Sequence, residues 1–142
     1  MKKIILSLSI SLLFSFAASA IEYGGIGGRP AYPNSEVERS KDIFIHTLAP
    51  GSKQQEGVTV INNTEQDKYL IVYPTDYTPA SGGGFACKQF LENKDAVGQW
   101  LKINKNLVYL PPFSQSVVNF LIEVPEKISP GEHNGCIAIQ EY

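Results

Sequence analysis

The sequence predicts an all-β sandwich of about seven short strands, and three observations carry that expectation. Runs rich in β-branched and aromatic residues recur from residue 42 onward. Turn formers close them, as in Ala49-Pro50-Gly51-Ser52 and Asn62-Asn63-Thr64-Glu65. No segment keeps the three-to-four-residue apolar spacing of a helix, beyond one turn within Asp95–Leu101. Short strands at regular spacing between turn signals are the pattern of a sandwich.

Residues 1–20 read as a signal peptide. Lys2 and Lys3 form a positive start, Ile4 to Phe16 an apolar run, and Ala18-Ser19-Ala20 a small-residue cleavage site. That run is shorter than the roughly 20 residues that span a bilayer, and no cysteine follows it for lipid attachment. The mature chain is expected to start at Ile21, secreted and extracytoplasmic, with no stable membrane span. Residues 21–41 form a Gly/Pro-rich segment that predicts a flexible or loosely docked arm. Its Gly24-Gly25-Ile26-Gly27-Gly28 stretch is not a dinucleotide loop, because Pro30 takes the last glycine position and no Gly-Lys-Ser/Thr is present.

Residues 42–142 form the predicted sandwich domain. Ile43 to Leu48 is the first run, and Gly57 to Asn62 the second, with Val58 and Val60 on one face. Lys68 to Pro74 is the third, where Tyr69, Ile71 and Tyr73 alternate with Leu70 and Val72. Shorter runs follow at Phe85 to Phe90, Trp100 to Ile103 and Leu107 to Leu110. Val117 to Val124 is the clearest strand, with Val118, Phe120, Ile122 and Val124 facing one way, and His133 to Gln140 is the last. One internal echo stands out: Leu48, Pro50, Val58 and Val60 recur as Leu110, Pro112, Phe120 and Ile122. Two such corners predict paired strands entering one sheet from the same end.

The charge balance, 12 basic against 14 acidic residues for a net −2, contains no basic block, so nucleic acid is not an expected partner. Cys87 and Cys136 in an exported chain predict a disulfide. Free thiols, or a thiol–imidazole pair of Cys87 with His133 in an exported thiol enzyme, are the competing readings. His46 and His133 have no ligand-spaced cysteine or carboxylate, so no metal or cofactor is expected. Asp76, Glu92, Asp95, Glu123 and Glu132 fall on loops or solvent faces, and no two stand out as an acid/base pair. The chain is therefore read as no enzyme. Tyr69, Tyr73 and Tyr77, near Trp100, suit either a sugar-stacking surface or ordinary packing. Asn62-Asn63-Thr64 matches a glycosylation triplet.

The order of Leu48-Ala49-Pro50-Gly51, "VTVINNT", "LIVYPTDYTPASGGGF", Gln99-Trp100-Leu101, Leu110-Pro111-Pro112, "FLIEVPE" and "PGEHNGCIAIQE" resembles an exported immunoglobulin-like domain family of bacteria. That family includes the peptidoglycan-binding domain of WxL-interacting proteins. The resemblance covers nearly all of residues 42–142. It implies an immunoglobulin-like sandwich that binds or scaffolds in the cell envelope without catalysis, its partner an envelope protein or cell-wall polymer. Two features depart from the family: the cysteine pair, and a sequence that stops before the family's further strand. The expectation is a sandwich lacking its last strand, open to a strand from another chain. No ligand-binding residue carries over.

Overall fold

The computed structural model describes residues 21–142, and the predicted signal peptide lies outside them. The described residues form nine strands: β1 (Ile21–Tyr23), β2 (Ile26–Pro30), β3 (Lys53–Asn62), β4 (Lys68–Pro79), β5 (Phe85–Cys87), β6 (Leu101–Ile103), β7 (Leu107–Leu110), β8 (Ser114–Glu123) and β9 (Gly135–Glu141). One antiparallel sheet has the order β1-β2-β3-β8-β6; in the other, β4 pairs β5, β7 and β9. Taking β2, β3, β8 and β6 as A, B, E and D, and β4 with β9 as C and F, gives the immunoglobulin strand order. No strand pairs with β9 on the edge away from β4 among the described residues.

Alternation explains the layers. Val58 and Val60 of β3 face Leu70 and Val72 of β4 across the core, which Val108, Leu110, Val118, Phe120 and Ile122 complete. Cross-strand pairing of β3 with β8 fixes the first sheet from Lys53↔Glu123 to Asn62↔Ser114. Because these strands are antiparallel, the two Leu-x-Pro corners lie at opposite ends of the sheet, contrary to the expected shared end.

Two further expectations change. The Gly/Pro-rich arm is not loosely docked: Gly24 and Gly25, at φ 59° and 79°, make a tight turn between β1 and β2, and β2 pairs with β3 from Ile26↔Asn62 to Pro30↔Val58. The sandwich thus begins before residue 42. Conversely, Ile43 to Leu48 is not a strand. Its alternation is real, since Phe44 stands edge-on to Phe120 at 5.2 Å, His46 Nε2 lies 3.1 Å from Glu56 Oε1, and Leu48 packs on the core. Among the described residues no backbone hydrogen bond from Phe44–Leu48 joins it to either sheet, so its contacts with the core are made by side chains.

The end of β4 is a junction. Asp76 is fully buried, and its carboxylate accepts the backbone N–H groups of Asp95 (2.7 Å), Ala96 (3.2 Å) and Gly98 (2.6 Å). Its own carbonyl accepts the Lys88 N–H at 2.9 Å, and the Lys88 ammonium stands 3.5 Å from the carboxylate. Burial pushes the Asp76 carboxyl upward, but the three N–H donors outweigh it and hold the group below its ordinary value.

The Cys87–Cys136 disulfide lies beside this junction, as the sequence predicts. Leu70 pairs with both Val108 and Glu141, so β7 and β9 flank opposite edges of β4. The cysteine Cα atoms are 6.2 Å apart, too close for strands on opposite edges, which stand roughly 10 Å apart. Therefore β5 and β9 share one edge of β4, end to end, and the disulfide splices them.

Two measurements check these anchors. Reduction, or the double change Cys87→Ala/Cys136→Ala, is expected to remove about 2–4 kcal/mol and to lower Tm by on the order of 10 °C; an unchanged Tm would refute the splice. Asp76→Asn is expected to cost about 1–3 kcal/mol at neutral pH, because the amide sets N–H against N–H. The stabilisation from a depressed carboxyl is present above its ordinary value of 3.8 and disappears as pH falls through the folded value. The gap between wild type and Asp76→Asn in denaturant melts therefore narrows below about pH 4; a gap independent of pH would contradict it.

Candidate functional site

The outer face of the second sheet is the feature that ordinary sandwich logic does not explain. Antiparallel strands with one solvated face normally turn polar residues outward. Here β4 directs Tyr69, Ile71, Tyr73, Thr75 and Tyr77 to that face, where Tyr73 and Thr75 are covered and Tyr69 and Tyr77 exposed, and β7 adds the exposed Leu107 and Tyr109. Tyr69 and Tyr109 are direct cross-strand partners with ring centroids 5.1 Å apart, tilted 44°. They remain 55% and 50% exposed, and Leu107, opposite Ile71, is 44% exposed. Further along β4, Phe90 meets Tyr73 edge-on at 4.9 Å. Beside this pair opens a cleft of about 260 Å³ whose walls include Gln89, Glu92 and Lys94.

Polar groups border the aromatic rings. The Tyr109 hydroxyl donates to Asp67 at 3.0 Å, and that bond raises the phenol's pKa. The Tyr73 hydroxyl reaches Gln140 Oε1 at 3.4 Å; burial first, then Glu92, pushes its pKa up. Lys68 pairs with Glu141 at 2.7 Å at the same end of the sheet as Tyr69.

The predicted site residues scatter. Tyr69, Tyr73 and Tyr77 do share one face, but Trp100 packs instead on His133, 5.3 Å between centroids. Nε2 of His133 donates to the Ser129 carbonyl at 2.8 Å. Cys87 is bonded to Cys136, which leaves His133 no thiol to activate. Asp76 is committed to the loop, Glu92 accepts the Gln89 N–H at 3.0 Å, and Asp95 meets Lys88 at 3.0 Å. Glu123 pairs with Lys53 at 3.5 Å and Glu132 accepts from Asn134 at 3.1 Å. Among the described residues no three His, Cys, Asp or Glu side chains converge as metal ligands. Asn62 is fully buried and its amide donates to the carbonyls of Gln66, Leu110 and Pro111, so the glycosylation triplet holds a structural asparagine.

Two residues escaped the sequence reading. Tyr109 sits in the run "LVYL", where Val108 and Leu110 supply the buried alternation and so mark Leu107 and Tyr109 as outward. Phe90 lies in an irregular loop, where no periodicity places it.

A second feature is the free edge of β9. Ile137 and Ile139 point at the core yet are only partly buried. Among the described residues the strand's backbone pairs with β4 alone.

No family model and no curated protein matches this chain. Among solved structures, the chain is similar to the ASH/PapD-like domain of human CEP192 (PapD-like domain 7), at 13% identity and a TM-score of 0.40. That likeness covers 84% of this chain and 73% of the other.

Proposed function

We propose that this chain is a secreted, non-enzymatic module of a bacterial cell envelope that binds or scaffolds a wall polymer or a surface protein. The carrying observation is the aromatic solvent face of β4 and β7, since exposed contiguous apolar surface on a folded domain marks a contact site. Export is supported by the Lys2-Lys3 start, the apolar run and the Ala18-Ser19-Ala20 site, together with a disulfide of the kind that persists in oxidising spaces. The resemblance of residues 42–142 to the family that includes peptidoglycan-binding domains of WxL-interacting proteins supports the envelope setting.

A second reading rests on β9. Its outer edge presents unpaired N–H and C=O groups above half-covered Ile137 and Ile139, a template for a strand donated by another chain.

Both readings are open to direct measurement. Protein expressed with its first twenty residues in a bacterial host is expected to be recovered outside the cytoplasm beginning at Ile21, and to co-sediment with purified insoluble wall material or retain a defined envelope protein. Cytoplasmic retention with an intact Met1, or recovery wholly in the supernatant with no retained partner, would defeat the first reading. For the second, short alternating apolar peptides are expected to protect the β9 amides from hydrogen exchange and raise Tm. A monodisperse monomer indifferent to such peptides would count against it.

A further inference from the structure

The aromatic face has the composition and dimensions of a surface for a sugar chain. Tyr69 and Tyr109 place two half-exposed rings side by side near the start of β4, and at its middle the buried Tyr73 ring meets Phe90 at the wall of the cleft. Four residues of strand separate Tyr69 from Tyr73, roughly 13 Å and longer than a single sugar ring. Ile71 and Leu107 lie between as a flat apolar floor.

We propose that this face binds a linear polysaccharide, with one pyranose ring stacked on the Tyr69/Tyr109 pair and the chain running along β4 toward the Tyr73–Phe90 cleft. The proposal deepens the envelope-binding reading and rests on it.

The chemistry separates a glycan from other occupants. One face of a pyranose presents C–H bonds of partial positive charge, which meet the negative face of an aromatic ring. Its hydroxyls require acceptors around that ring, and the carboxylates of Asp67 and Glu92 and the amide of Gln140 supply them. A nucleic acid would bring phosphates toward Asp67 and Glu92, two carboxylates against the single Lys94 of the cleft wall, while Lys68 is already paired with Glu141. A stable protein partner needs about 800 Å² from each side. Slightly more than half of that, about 450 Å², is apolar in an ordinary interface, whereas Tyr69, Tyr109 and Leu107 offer about 300 Å² of ring and methyl surface, closer to the footprint of a stacked sugar.

The test uses the chain from Ile21, with chitohexaose and cellohexaose as probes, followed by amide chemical shifts. Shift changes confined to residues 69–73, 107–109 and the Phe90 loop are expected with at least one sugar. Tyr109→Ala is expected to weaken binding about tenfold, the loss of one stacking partner, at unchanged Tm. Phe90→Ala is expected to weaken it several-fold, and Tyr32→Ala, far from the face, to leave it intact. Absence of shifts with both sugars, shifts elsewhere, or binding indifferent to Tyr109→Ala would overturn the proposal. If Tyr109→Ala protein co-sediments with wall material as fully as the wild type across the titration, the glycan site falls while the envelope reading stands. If neither form co-sediments or retains a surface protein, the envelope reading itself falls.

Discussion

The structure depends on one buried carboxylate. Taking Asp76 out of water costs several kcal/mol unless its oxygens find partners. Three backbone N–H groups and the Lys88 ammonium provide them, all from residues 88–98, a stretch with almost no regular structure of its own. The ordering entropy of such a stretch is large, about 1–2 kcal/mol per residue, and local propensity offers nothing against it. A charge that must be satisfied gives that loop a single low-energy path. The path ends at Leu101, where β6 joins β8 and closes the first sheet. A site on the second sheet thus determines where an edge strand of the first one starts.

The same junction explains why β4 is the longest strand. Its twelve residues serve three partners: β7 at the start, β9 through the middle and β5 at the end. Strands β5 and β9 take successive lengths of one edge, and the Cys87–Cys136 bond holds their meeting point where Thr75 and Asp76 already pair with Cys136 and Gly135. Ladder, carboxylate and disulfide act on the same few residues. Their contributions are coupled, so loss of one anchor weakens the hold of the others.

What was legible followed from side-chain pattern. The alternations of Val58/Val60, Leu70/Val72 and Val118/Phe120/Ile122 marked core positions correctly because burial on one face leaves a period of two. The cysteine pairing was legible from the export context. Backbone partners were not. Strand β2 carries glycines at 27 and 28, so it shows no alternation, yet at Gly28 the missing side chain is what admits Ile139 Cδ1, 2.5 Å from where a Cβ would stand. Phe44, His46 and Leu48 show the reverse case, a strand-like pattern without a ladder, because alternation reports which side is covered and not what the backbone bonds. Asp76 read as one of five carboxylates on loops or solvent faces, whereas it is buried within β4; nothing in the sequence marked it, since its partners are amide groups that any residue carries. The aromatic face was half legible: Tyr69 and Tyr73 by period, Tyr109 and Phe90 only through pairing and packing.

That face makes physical sense of the reinforcement behind it. A surface that holds a ligand by stacking gains little per contact and loses affinity if the rings must be ordered on binding. Tyr69 and Tyr73, on a strand paired along both edges, pay little of that cost, and Tyr109 is held against Tyr69 from β7. Leu70 and Val72 seat β4 in the core from beneath, β7 and β9 hold its two edges, and the Asp76 junction with the disulfide stops the far end from fraying. The free edge of β9 lies one strand away from this platform. A strand added there would extend the same sheet beside Gln140 and complete the cover over Ile137 and Ile139. It would lie on the edge away from β4 and leave the tyrosines uncovered, so the two proposed contacts on this sheet do not exclude one another.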